Sequence, residues 1–126
     1  MKLEFDRKFY VYLSLVVLET FVLLWFSFSP SVDFVRTDFP LIRLGDLEHF
    51  IAYGIYGFLL GRVFKYFFSG KKSVLLSLVI GSFMGGLCEI SQYFLPYRVG
   101  DVIDWIIDTF GSLVGGFINS RFKPFS

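Results

Sequence analysis

Val74–Leu95 reads VLLSLVIGSFMGGLCEISQYFL, 22 residues that carry no charge before Glu89. A helix rising about 1.5 Å per residue needs roughly 20 residues to cross about 30 Å of hydrocarbon, and this stretch meets that length. Within it Gly81, Gly85, Glu89 and Gln92 recur at spacings of four, four and three, so they share one helical face. The stretch therefore predicts a membrane span with a small and polar stripe turned toward other spans.

Three more runs of the same kind lie on either side. Phe9–Phe28 has 20 residues, Phe50–Phe68 has 19 and Val99–Ile118 has 20, and the four runs together hold 81 of the 126 residues. The mean hydropathy of +0.64 and the 55% hydrophobic content agree. The expected fold is all-α: a four-transmembrane-helix bundle forming one domain over residues 1–126. The residues left over are split among two ends and three connections, too few for a second core. This composition excludes a soluble enzyme and a disulfide-stapled secreted domain. Nucleic acid is excluded as a partner, because the net charge is only +1 and the basic residues are dispersed. Cys88 is the single cysteine. The first run is longer than the apolar stretch of a signal peptide, and no small-residue cleavage site follows it, so a retained helix is expected.

Lysine and arginine set the orientation. Lys2, Arg7, Lys8, Arg62, Lys65, Lys71, Lys72, Arg121 and Lys123 fall on one side, against Arg36, Arg43 and Arg98 on the other. Both termini are thus expected in the cytoplasm. The connection from Ser29 to about Glu48, broken by Pro30 and Pro40, is expected outside.

Two other spans repeat the stripe. Asp46, His49, Tyr53, Gly57 and Gly61 run at three, four, four and four, and Asp101, Asp104, Asp108, Gly111 and Gly115 at three, four, three and four. The glycine halves, Gly57/Gly61, Gly81/Gly85 and Gly111/Gly115, are small-xxx-small pairs of the kind that let helix backbones approach in lipid. The bundle should close tightly at the inner end and widen outward. It would gather Asp46, His49, Tyr53, Glu89, Gln92, Arg98, Asp101 and Asp104 around an external cavity, with Asp108 one turn deeper. Ionisable residues in a span cost about 2.5–3.5 kcal/mol each on insertion scales, so they default to functional candidates.

Two roles are open to Arg98, in the turn after Pro96. It can neutralise Asp101 or Asp104, or its planar fork can recognise an incoming phosphate or carboxylate. His49, the only histidine, is a candidate acid or base, with Glu89 or Asp104 as its counterpart. No nucleophile elbow surrounds Ser91 or Cys88. No cofactor is expected, and no metal, because one histidine among scattered acids lacks the close spacing of a HExxH-type motif. Glu19, alone in the first span, would either sit protonated or pair with Arg62.

His49-Phe50-Ile51-Ala52-Tyr53, together with Glu89-Ile90-Ser91-Gln92, Pro96-Tyr97-Arg98, Asp101, Asp104, Asp108, Gly111 and Gly115, resembles the VanZ-like membrane proteins. The second string is similar to that family's E-x-x-Q, P-x-R-x-x-D-x-x-D and N-x-x-G-x-x-x-G pattern. There are two departures: Gly45-Asp46 stands where the family carries Asp-Lys, and Asp108 where it commonly has Asn. The resemblance implies a multi-pass protein of the bacterial cell (inner) membrane, whose name-giving relative is associated with low-level teicoplanin resistance. The polar stripes offer His49, Tyr53, Glu89, Gln92, Arg98, Asp101, Asp104 and Asp108 as the candidate ligand-binding residues. An anionic envelope lipid or a lipoglycopeptide is the expected ligand, and a homodimer is an admissible assembly. The alternative is an intramembrane hydrolase or transferase acting on a lipid-linked substrate.

Overall fold

The computed structural model describes residues 6–28, 44–94 and 102–122, and they form four helices: α1 (Arg7–Phe28), α2 (Leu44–Phe64), α3 (Gly70–Tyr93) and α4 (Val102–Ser120). Each expected run overlaps one helix. The second is displaced, because polarity alone does not break a helix: Leu44–His49 continues α2 ahead of its apolar part. At the other end, Phe64 closes α2 and the chain turns through Lys65–Phe67 with bonds from Tyr66 N–H to Val63 O and Phe67 N–H to Phe64 O. Ser69 then caps α3, its hydroxyl accepting the Lys72 N–H at 3.5 Å. Asp6 does the same for α1, accepting the Phe9 N–H at 3.0 Å.

Three helices, α1, α3 and α4, are long and apolar enough to cross a membrane. Asp46, Glu48, His49 and Arg62 make α2 less apolar. It packs against all three other helices, most extensively against α4, whereas among the described residues α1 touches only α2 and α3. Its neighbours thus screen the most polar helix.

The packing inverts that of a soluble domain. Ser73, Ser77, Asp108, Ser112 and Asn119 are fully buried, while Phe21, Trp25, Phe83, Ile90 and Phe110 stand exposed. Apolar side chains face outward because lipid accepts them, and small and polar ones face inward, where partners exist. The glycine stripes lie at the seams. A Cβ at Gly57 would overlap the Ser112 carbonyl oxygen, one at Gly81 the Ser112 hydroxyl, and one at Gly115 the Gly54 carbonyl oxygen. Gly54, Gly116 and Ser112 complete the seams. Two apolar clusters fill the remainder: Leu23, Tyr53, Tyr56, Leu60 and Met84 in one, Phe9, Val63 and Tyr66 in the other.

Candidate functional site: a histidine and carboxylate cluster

At one end of the glycine stripes the polar halves of three stripes converge. His49 on α2 directs Nδ1 at Asp108 Oδ1 on α4, 2.8 Å away across 59 residues of sequence. The imidazole is about a third exposed and the carboxylate almost fully enclosed. Glu89 on α3, also buried, completes a trio: one ligand atom from each of His49, Glu89 and Asp108 lies within 4.8 Å of the others. Asp104 is half-buried one turn above Asp108. Gly85 on α3 leaves room for Asp108, since a Cβ added at Gly85 would lie 2.9 Å from the Asp108 Cβ.

Around the trio the expected residues take distinct places. Tyr53 is buried beside it and its hydroxyl donates to Cys88 Sγ at 3.7 Å. Gln92 turns toward α1, its amide donating to the Ser27 hydroxyl at 3.3 Å and the Ser27 carbonyl at 3.4 Å. Ser27 in turn donates to the Cys88 carbonyl at 3.4 Å. Gln92 therefore ties α1 to α3 at this end. Arg98 and Asp101 lie outside the described residues, as does the side chain of Asp46.

Sequence reasoning missed Ser27 and a second bridge, in which Trp105 Nε1 donates to the Ser82 carbonyl at 2.9 Å and Thr109 donates to the Ser82 hydroxyl at 3.0 Å. The only signal for them was a hydroxyl inside an apolar run. Glu19 does not pair with Arg62. Arg62 lies at the opposite end of α2, its guanidinium 5.4–5.8 Å from the ring centroids of Tyr12, Phe58 and Phe122.

Chemically, the trio sets an imidazole and two carboxylates from three helices within contact of one another. That arrangement can shuttle a proton between His49 and a bound group, with Asp108 orienting the ring, or it can ligate a cation. A shallow apolar groove of about 310 Å³ lies along α2 and α4: Phe50 and Ile51, the residues after His49, line it with Gly54, Phe58, Val114 and Ile118. It runs down the outer face of the α2–α4 seam.

No curated protein and no solved structure matches this chain. A family model described as VanZ/LLP1 matches residues 3–123, which takes in all four helices and the whole polar cluster. The two segments behind the resemblance lie within that match, and the chain belongs to the VanZ/LLP1 family.

Proposed function

We propose that this is a four-span protein of the bacterial cell membrane, with both termini cytoplasmic, and that its polar cluster receives the anionic head group of a lipid-linked envelope component. The observation that carries the proposal is a juxtaposition. His49 of the trio directly precedes Phe50, which lines an apolar groove with Phe58 and Ile118, so one amphiphile would place its polar end in the cluster and its chain along that groove. A carrier-lipid phosphate or a lipid-bearing glycopeptide such as teicoplanin has that form. Arg98, expected above the cluster, would add the cation that an anionic head group requires.

The test uses a Gram-positive host carrying empty vector, the wild type, Arg98→Ala or Asp104→Asn at matched membrane levels, challenged with teicoplanin and vancomycin. Protection against teicoplanin that both substitutions abolish supports the proposal. A wild type that gives no protection and, once purified, holds no envelope lipid by mass spectrometry refutes it.

One observation favours the enzymatic alternative. Nδ1 of His49 is held by Asp108 at 2.8 Å, which leaves the other ring nitrogen for a substrate, the orientation a general acid or base needs. Glu89 is then the second group, in place of Asp104. Turnover of a polyprenyl-phosphate-linked sugar that survives both His49→Gln and Glu89→Gln excludes this chemistry.

A further inference from the structure

His49, Glu89 and Asp108 come from three different helices, and each offers a ligand atom within 4.8 Å of the other two. A first-row divalent ion sits about 2.0–2.2 Å from nitrogen and oxygen donors, which holds those donors about 3–3.5 Å apart. The trio spans up to 4.8 Å, so an ion would draw its ligand atoms together by as much as about 1.8 Å.

A second observation concerns Asp108 alone. Its Oδ1 accepts from His49, but its Oδ2 is buried and has no hydrogen-bond partner among the described residues. Buried carboxylate oxygens are normally satisfied, by protein, water or an ion. This oxygen faces α3, since a Cβ at Gly85 would lie 3.0 Å from it, and Glu89 follows Gly85 by one turn on the same face. It is therefore turned toward the helix that supplies the other carboxylate.

We propose that His49, Glu89 and Asp108 bind one divalent metal ion of the Mn²⁺ or Zn²⁺ class. One imidazole with two carboxylates suits those ions better than Cu⁺, which favours thiolates, or Ca²⁺, which favours oxygen alone. The trio supplies three ligands and leaves positions open toward the exposed side of His49. A phosphate or carboxylate entering there would complete the coordination. This deepens the proposal that the cluster receives an anionic head group, and it rests on that cluster being the functional site.

The experiment uses the full chain, purified in detergent through a histidine-free tag, stripped with chelator and titrated with Mn²⁺ while free ion is followed by electron paramagnetic resonance. One equivalent should bind with a dissociation constant below about 100 µM, and Zn²⁺ should displace it. The chain has a single histidine, so ¹⁴N modulation in the pulsed spectrum of bound Mn²⁺, lost in His49→Gln, identifies the site in the wild type itself. Glu89→Gln and Asp108→Asn should each weaken binding by more than about tenfold, with helicity retained by circular dichroism, while Glu19→Gln should not. Should either variant fail to fold, the wild-type ¹⁴N signal decides. No stoichiometric binding below about 1 mM, or bound Mn²⁺ without ¹⁴N coupling, overturns the proposal. Farnesyl phosphate is then added. Ion binding that farnesyl phosphate leaves unchanged counts against the head-group reading and spares the metal site, whereas lipid bound without ion does the reverse.

Discussion

Replacing Gly115 by alanine should separate α2 from α4. The added Cβ would overlap the Gly54 carbonyl oxygen and lie 2.8 Å from Gly54 C and 2.9 Å from Phe58 N. All three atoms belong to the α2 backbone, so no side chain can rotate out of the way. Ordinary contact requires about 3.5–4 Å, and restoring it moves the two helices apart by more than about 1 Å along the most extensive seam in the bundle. Overpacking costs about 1–3 kcal/mol where side chains share the adjustment, and a backbone clash belongs at the upper end, about 3 kcal/mol or more.

The same geometry ranks other glycines. Gly57→Ala should cost about as much, because the new Cβ meets the Ser112 carbonyl oxygen, with Ser112 Cα at 2.8 Å and C at 2.9 Å. Gly61→Ala should fall between, at about 1–2 kcal/mol, because it meets the Asn119 side chain, which can turn in part. Gly70→Ala should be neutral within about 0.5 kcal/mol, since nothing lies within 4 Å of its Cβ position and alanine is the better helix former. The assay is unfolding of reconstituted protein by a denaturing detergent in mixed micelles, followed by circular dichroism. A Gly115→Ala protein within 0.5 kcal/mol of wild type, or a Gly70→Ala protein as damaged as Gly115→Ala, refutes the reasoning.

Other perturbations have outcomes of their own. Asp6 lies outside the spans, and the Phe9 N–H and then the Tyr66 hydroxyl, at 2.9 Å, hold its carboxyl below the usual range. Its folded pKa is depressed, so its contribution is present above the unfolded carboxylate value of about 4 and is lost as pH falls through the folded value. Wild type should therefore exceed Asp6→Asn in stability at neutral pH, and the two should converge under acid; a constant gap across the titration contradicts the cap. Lys65 donates to the carbonyls of Asn119 at 2.8 Å and Phe122 at 2.7 Å, closing the end of α4. Lys65→Met should free those carbonyls and speed amide exchange over 118–122, with a loss of about 1 kcal/mol that an unchanged exchange profile would deny. The topology is tested with cysteines placed at 2 and at 71 in a Cys88→Ser background: an impermeant maleimide should label both from the cytoplasmic side alone.

Much of the architecture was legible because lipid imposes a simple rule. Helices must satisfy their own backbone, so length and apolarity find them, and Gly57, Gly81, Gly85 and Gly115 revealed the seams because close approach in lipid depends on small residues. The ends were harder to place. Leu44–His49 continues α2 although its polarity resembles a loop, and the apolar Tyr66–Phe68 leaves the helix to form the turn. The site was legible as a face but not as a set of pairs. Stripe spacing put His49, Glu89, Asp104 and Asp108 inward, yet which acid His49 would meet depends on the relative heights of α2 and α4. Those heights are set by where Gly54 meets Gly115, a contact between two backbones that no local pattern displays.

The same dependence links the two ends of the bundle. Asp108 and Gly115 are seven residues apart on α4, about two turns or 10 Å, and Gly115 fixes the height and distance of α4 against α2. The 2.8 Å contact between His49 and Asp108 therefore depends on a glycine contact two turns away along α4. Gly115→Ala should lengthen it even though every residue of the cluster is retained. Measured on the same samples, weaker Mn²⁺ binding should accompany lower stability in Gly115→Ala, whereas Glu89→Gln should weaken binding with a far smaller loss of stability. If Gly115→Ala destabilises the bundle and still binds the ion as wild type does, the cluster is assembled by α3 and the upper turns alone, and the glycine seam serves only stability.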